Sequence, residues 1–392
     1  MTCQGWIAVL SLAVAGLTQA EASSYTYTLI ADNTGSFSAL DSAPTLNNAG
    51  TVAFWGSYAA GGEGIFTSGG GAVTTIAAGD GVTTSFAAMP SINDAGTVAF
   101  ITKGDFGYIR GIFTGDGGST SAVYTNYAFG GYSGFSLPVI NNSGTVALSA
   151  IPYKQGTYHL LVGNGGPLTD LATGPGGQFF GFSINDFGLV AVNIVGTSVT
   201  VSDGTTSSNF GSVLYNRPAI NNSGTVAFGA YDGSLVFGSG GPLTLVADTT
   251  GAYAAFGFGY YAVAVSINDA GIVAFRAELD AGGAGIFTGP DAVADKVIAV
   301  GDTLFGSTVT NLVFASGEQL NDAGSVAFVA YLADGRQVIV RADVIPEPST
   351  FALVGLALCV FLAGAGVVTW IQPVGARRAF RANGRRPCGD AS

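Results

Sequence analysis

One phrase recurs seven times in this chain and leaves few folds open to it: Asn, two small or polar residues, Gly, then a short apolar run. It begins at Asn47, Asn93, Asn141, Asn185, Asn221, Asn268 and Asn321. The text is Asn-Asn-Ala-Gly-Thr-Val-Ala-Phe at 47–54, Asn-Asp-Ala-Gly-Thr-Val-Ala-Phe at 93–100 and Asn-Asp-Ala-Gly-Ser-Val-Ala-Phe at 321–328. Leu148 and Val192 replace Phe in the third and fourth copies, and Phe187 replaces the small residue in the fourth. Successive Asn positions lie 46, 48, 44, 36, 47 and 53 residues apart, near the period expected when each unit is one four-stranded propeller blade. Seven units fall in the range for ring closure. The expected fold is all-β: a seven-bladed β-propeller.

Within a unit, Asn-x-x-Gly reads as a tight turn. An Asn side-chain oxygen can bond backbone two residues on, and Gly tolerates positive φ. The turn residues are thus Asn47 and Gly50, Asn93 and Gly96, Asn141 and Gly144, Asn185 and Gly188, Asn221 and Gly224, Asn268 and Gly271, and Asn321 and Gly324. Pairs such as Asn93-Asp94 or Asn268-Asp269 could offer oxygens to calcium, but the ligand spacing of an EF-hand loop is absent. The turn is the preferred reading.

After the turn, Thr-Val-Ala-Phe is a short β-prone run, apolar on both faces as a strand buried on both sides should be. Its small Ala, at 53, 99, 147, 191, 227, 274 and 327, permits close approach of a neighbouring blade. A second strand follows at Gly-Ile-Phe-Thr (64, 111 and 285) or its degenerate forms, and a Gly-rich hairpin leads to a third, as at 73–77, 243–247 and 297–300. The remaining strand precedes the Asn and often carries Pro, as at Pro44, Pro90, Pro138 and Pro218. Residues 25–32 match the outermost strand seen at 242–248 yet precede the first turn, while the seventh unit ends at 338–343 without such a strand. The N-terminal strand is therefore expected to close the seventh blade, hiding two sheet edges that would otherwise invite aggregation.

The turn and strand phrase resembles the NxxGxxxAF tandem repeat of secreted bacterial proteins, and the layout is similar to TolB-like and WD-repeat propellers. That repeat family has no assigned catalytic residues, so the resemblance implies no enzyme activity.

Both termini read as addresses. An apolar stretch at 6–17 followed by Ala20-Glu21-Ala22 marks 1–22 as a secretory signal peptide, though its n-region has no Lys or Arg. The propeller is expected at 23–343 and a linker at 344–350. An uncharged apolar segment, 351–371, is then followed by Arg377, Arg378, Arg381, Arg385 and Arg386 in the tail 372–392. At about 1.5 Å per residue the segment makes a transmembrane helix of roughly 31 Å, enough to cross a hydrocarbon core. The arginines place the tail in the cytoplasm and the propeller outside. Pro346, Glu347 and Pro348 before such a helix and basic tail resemble the PEP-CTERM sorting signal, which implies processing by an exosortase in a polysaccharide-exporting bacterium. Ile345 stands where Val is more usual, and the tail runs on past the first Arg pair.

Charge excludes one class of partner. The chain carries a net charge of −12, and its propeller, with eight basic against 22 acidic residues, is near −14. Nothing neutralises phosphates, so nucleic acid is not a partner. Cys3, Cys359 and Cys388 all fall in the targeting segments, so no disulfide staples the domain. The single His159 can support neither a zinc site nor, without a partner in view, a triad. No catalytic residue, metal or cofactor is assigned. Asp80, Asp248 and Asp302 are read as turn residues.

Three function classes follow. The preferred one is a non-catalytic exported propeller at the cell surface or in the matrix, binding an exopolysaccharide, another glycan or a surface protein, or serving structurally. The others are a polysaccharide hydrolase or lyase using channel carboxylates, and a membrane-tethered assembly factor. Two stretches, 129–135 and 253–261, break the repeat with aromatic residues that could stack on sugars or pack at blade edges.

Overall fold

The computed structural model describes residues 24–346 except 105–108, 126–131, 153–155, 176–178, 195–197, 212–216, 257–262 and 316. The expected signal peptide, Glu347, Pro348, the span 351–371 and the basic tail lie outside the described residues. Among the described residues there are strands and turns and no helix, in seven antiparallel sheets of four or five strands.

The first blade shows the plan. Val52–Tyr58 pairs on one side with Phe37–Ala39 and Thr45–Leu46, two pieces of an interrupted innermost strand. On its other side it pairs with Glu63–Ser68, which pairs in turn with Thr74–Gly79. The break falls before Pro44, whose ring removes a ladder donor.

Val-Ala-Phe sets the blade stacking through the two-residue period of a strand. Ala53 packs with the second blade, alongside Phe86, Ile92 and Val98. Its neighbour Phe54 packs with the seventh, beside Val329 and Ile339. The same division holds for Ala99 with the third blade, Ala147 with the fourth and Ala191 with the fifth. Ala227 meets the sixth blade, Ala274 the seventh and Ala327 the first. All seven alanines are fully buried. A small residue facing one neighbour and a large one facing the other lets adjacent sheets interlock without a void.

Ring closure is as the sequence reading expects. Tyr25–Asp32 runs antiparallel to Gln337–Val344, with Tyr25 opposite Val344 and Asp32 opposite Val338. Ile345 N donates to Ser24 O at 2.8 Å, and Gln337 N to Asn33 Oδ1 at 2.9 Å. The propeller thus continues to Ile345.

Candidate channel site

The seven repeat turns meet at one end of the central channel. Each has the same internal geometry: the Gly N–H donates to the Asn carbonyl at 3.0 Å. The Gly φ lies between 77° and 81°, a left-handed conformation that a side chain disfavours. The Asn oxygen does more than the expected bond two residues on. In every turn Oδ1 accepts the N–H four residues on, as from Thr51, Thr97 and Ser325. From the i+2 position Phe187 and Ser223 also donate their N–H, and Ser143 and Ser223 their hydroxyls.

The amide nitrogen of each Asn makes a contact that the sequence reading missed. Asn47 Nδ2 donates to Asn93 O, Asn93 to Asn141, Asn141 to Asn185 and Asn185 to Asn221. Asn221 then donates to Asn268, Asn268 to Asn321, and Asn321 back to Asn47. The seven bonds, 2.9 to 3.2 Å long, form a closed circle of buried amides through all blades. Asn is the side chain that supplies both the acceptor for its own turn and the donor for the next blade. A signal was present in the sequence: the first turn position is Asn in every copy and never Asp, although Asp would serve a turn alone.

A second circle lies outside the first, toward solvent. The backbone N–H of Asn48 donates to Asp94 Oδ1, Asp94 to Asn142, Asn142 to Asp186 and Asp186 to Asn222. Asn222 donates to Asp269, Asp269 to Asp322, and Asp322 to Asn48.

From this rim a cavity of about 130 Å³ runs inward past Leu46, Ile92, Ile140, Ile184, Ile220, Ile267 and Leu320. At its inner part are Ser183, Arg217, Gly317 and Glu318. Glu318 Oε2 accepts Ser91 Oγ at 2.6 Å. Burial pushes its carboxyl up to about 7, against the lowering effects of Ser91 and Arg217. Burial also lowers the Arg217 guanidinium, with Glu318 opposing the shift, and Arg217 Nε donates to Phe182 O at 2.8 Å. The fourth blade makes room for Arg217 at Gly181, where a Cβ would lie 2.5 Å from the Arg217 Cβ. Sequence reading passed over both charged residues. Their signal is a departure from the repeat: Glu318 stands in the register held by Pro44, Pro90, Pro138 and Pro218, and Arg217 directly precedes the last of these.

Other carboxylates are held in local structure. Asp80 accepts the N–H groups of Val82, Thr83 and Thr84, and Asp248 that of Thr250, which together with the Thr83 and Thr250 hydroxyls keep both acids well below the usual range. Asp302 binds Ala299 N and Lys296 Nζ. His159 contacts Asp170 across an outer pair of strands and does not line the cavity. Among the described residues no three His, Cys, Asp or Glu side chains converge to hold a metal. Of the aromatic stretch at 253–261, Tyr253 and Phe256 are buried, with rings about 5.5 Å from that of Phe275. They are core residues rather than sugar platforms; most of the other stretch, and 257–261, lie outside the described residues or their described side chains.

Comparisons with known proteins locate the chain only coarsely. An oligogalacturonate lyase solved with manganese is similar in structure at 11% identity, covering 82% of this chain and 98% of its own, with a TM-score of 0.45. A lectin of Aleuria aurantia solved with a fucosylated sugar shows 12% identity over 64% of this chain and 92% of its own, TM-score 0.37. PorZ, a surface component of the type-IX secretion system of Porphyromonas gingivalis, shows 14% identity over 74% and 45%, TM-score 0.43. No curated protein matches the sequence. Residues 8–193 match the model of a family of unknown function, DUF7453.

Proposed function

We propose that this chain is an exported, non-catalytic propeller of the cell surface or extracellular matrix, which binds a glycan or a surface protein or serves structurally. The observation that carries this reading is the saturation of the turn end of the channel. There the Asn and Asp groups are engaged with one another in two closed circles, an arrangement suited to a rigid frame rather than to proton transfer. Phe187 supports a sugar-facing role: it is 76% exposed and adjoins Asp186 on the rim, and an exposed ring beside polar groups suits stacking on a sugar. Export rests on the signal peptide, and sorting on Pro346-Glu347-Pro348 with the apolar segment and basic tail after them. An exosortase-type enzyme would process the chain there, releasing it from its transient membrane anchor.

The exported protein, screened on a glycan array beside an assay for reducing-sugar release, should bind without releasing sugar, and Phe187→Ala should weaken glycan binding. Its intact mass should end near Pro346. Retention of 351–392 would leave a permanent anchor in place of the sorting signal.

A second reading, a polysaccharide hydrolase or lyase, draws on Glu318, whose carboxyl near 7 suits a general acid. Hydrolysis by paired carboxylates needs a second acid beside it, and the inner cavity offers Arg217 instead. Sugar release that disappears in Glu318→Gln would establish this alternative.

A further inference from the structure

The rim is almost an alternation of amides and acids. Asn48 Nδ2 bridges Asp94 and Asp322, Asn142 Nδ2 bridges Asp94 and Asp186, and Asn222 Nδ2 bridges Asp186 and Asp269. Seven is odd, so strict alternation must fail at one junction. It fails between Asp269 and Asp322, where two carboxylates adjoin with no amide nitrogen to lie between them. Repulsion across this junction is relieved by a cation with N–H donors.

A second, independent observation lies deeper. Ser183, on the wall of the same cavity, is only 6% exposed, and its Oγ has no hydrogen-bond partner. A buried hydroxyl without a partner is destabilising unless something in the cavity bonds it. The Glu318 carboxylate lines the same cavity, as does a belt of seven Ile and Leu side chains. Among the described residues the cavity lining holds five acids, Asp94, Asp186, Asp269, Asp322 and Glu318, against the single cation Arg217, so its field favours a positive ligand. Because no three of these acids converge to chelate a metal, the matching cation is one that brings its own directed N–H groups and an apolar body.

We propose that the channel binds a linear aliphatic diamine, with one ammonium between Asp269 and Asp322, its methylenes along the Ile and Leu belt, and its second amine at Ser183 Oγ and Glu318. The cavity, about 130 Å³, has room for a short aliphatic chain. Phe187 borders the same rim, but the diamine site is read with amines rather than sugars, so it stands or falls independently of export, sorting and glycan binding.

Calorimetric titration of the full-length protein with 1,5-diaminopentane, n-pentylamine and 1,5-pentanediol tests the proposal. Saturable binding of the diamine is expected, about tenfold or more tighter than the monoamine, with none of the diol. Asp322→Asn retains the acceptor for Asp269 N–H and places an amide at the junction, so it should weaken the diamine about tenfold or more while leaving the fold intact; Asp269→Asn is the equivalent change from the other side. Glu318→Gln should remove most of the advantage of the diamine over the monoamine. Absence of saturable diamine binding, equal affinity for monoamine or diol, or unchanged affinity in both rim variants would overturn the assignment.

Discussion

The two ends of the channel cavity are built on opposite principles. At the rim, residues repeated in every blade satisfy one another: each Asn or Asp meets a partner supplied by the next copy of the same turn. At the inner end Arg217 and Glu318 each occur once, and burial shifts both away from their charged forms. Repetition delivers closed hydrogen bonding at little cost, because one solved turn is solved seven times. Unique residues break that economy and are where a function is most readily added.

The largest test of the difference is Asn141→Asp. The carboxylate keeps the acceptor for Thr145 N–H but loses the donor to Asn185 O. If the turn alone explains the Asn, this change is nearly silent. If the circle matters, an ionised group sits buried against a carbonyl, at about 3 to 5 kcal/mol. Urea unfolding at pH 8 checks the size. The deficit should shrink in acid, where a protonated carboxyl donates again.

Next in size is Glu318. Between its unfolded value of 4.5 and about 7 the folded chain keeps a proton that the unfolded chain has released. Stability attributable to this group is thus present below pH 4.5, falls as pH rises, and is fully lost above pH 7. The attraction of Arg217 is already included in that raised value. Glu318→Gln should flatten the profile and be more stable than wild type at pH 8, by at most about 3 kcal/mol. A wild-type profile flat from pH 4 to 8 would show that the carboxyl is better solvated than its position implies.

The sequence made much of the frame legible and little of the cavity. Blade number, the turn glycines and the closing strand Tyr25–Asp32 were readable because each follows from local patterning repeated along the chain. The Ala of Val-Ala-Phe was readable as a packing residue, whereas the opposite destination of Phe54 required the ring. The amide circle was not read because each of its bonds joins residues 36 to 53 positions apart, or 274 at closure. Ser183, Arg217 and Glu318 share no motif; only the ring brings them to one cavity.

Glycines sharpen the contrast at smaller scale. A Cβ at Gly181 would meet the Arg217 backbone and Cβ, so Gly181→Ala is a steric change expected to cost about 1 to 3 kcal/mol. A Cβ at Gly96 meets nothing within 4 Å, yet its φ is 80°. Gly96→Ala should then cost only the left-handed backbone, about 1 to 2 kcal/mol, and Gly96→Val more. Removing the Arg217 side chain should relieve Gly181→Ala partially and leave Gly96→Ala untouched, which a double-mutant cycle reads directly.

The smallest effect belongs to the odd junction of the rim. Asp322→Asn removes one of two adjoining carboxylates and supplies an amide nitrogen toward Asp269, while its oxygen still accepts Asp269 N–H, a bond of 2.8 Å in the wild type. The displaced mismatch then lies at Asn48, whose amide, formerly bonded to Asp322 Oδ2 at 2.7 Å, faces solvent and can be hydrated. Relief of like charge at an exposed site is worth under about 1 kcal/mol and is screened by salt. The variant should therefore melt slightly above wild type at low ionic strength, and the difference should vanish near 1 M salt. A destabilised variant at low salt would mean that the lost bond from Asn48 to Asp322 Oδ2 outweighs the repulsion at the junction, and that the rim's acids are as self-satisfied as its amides.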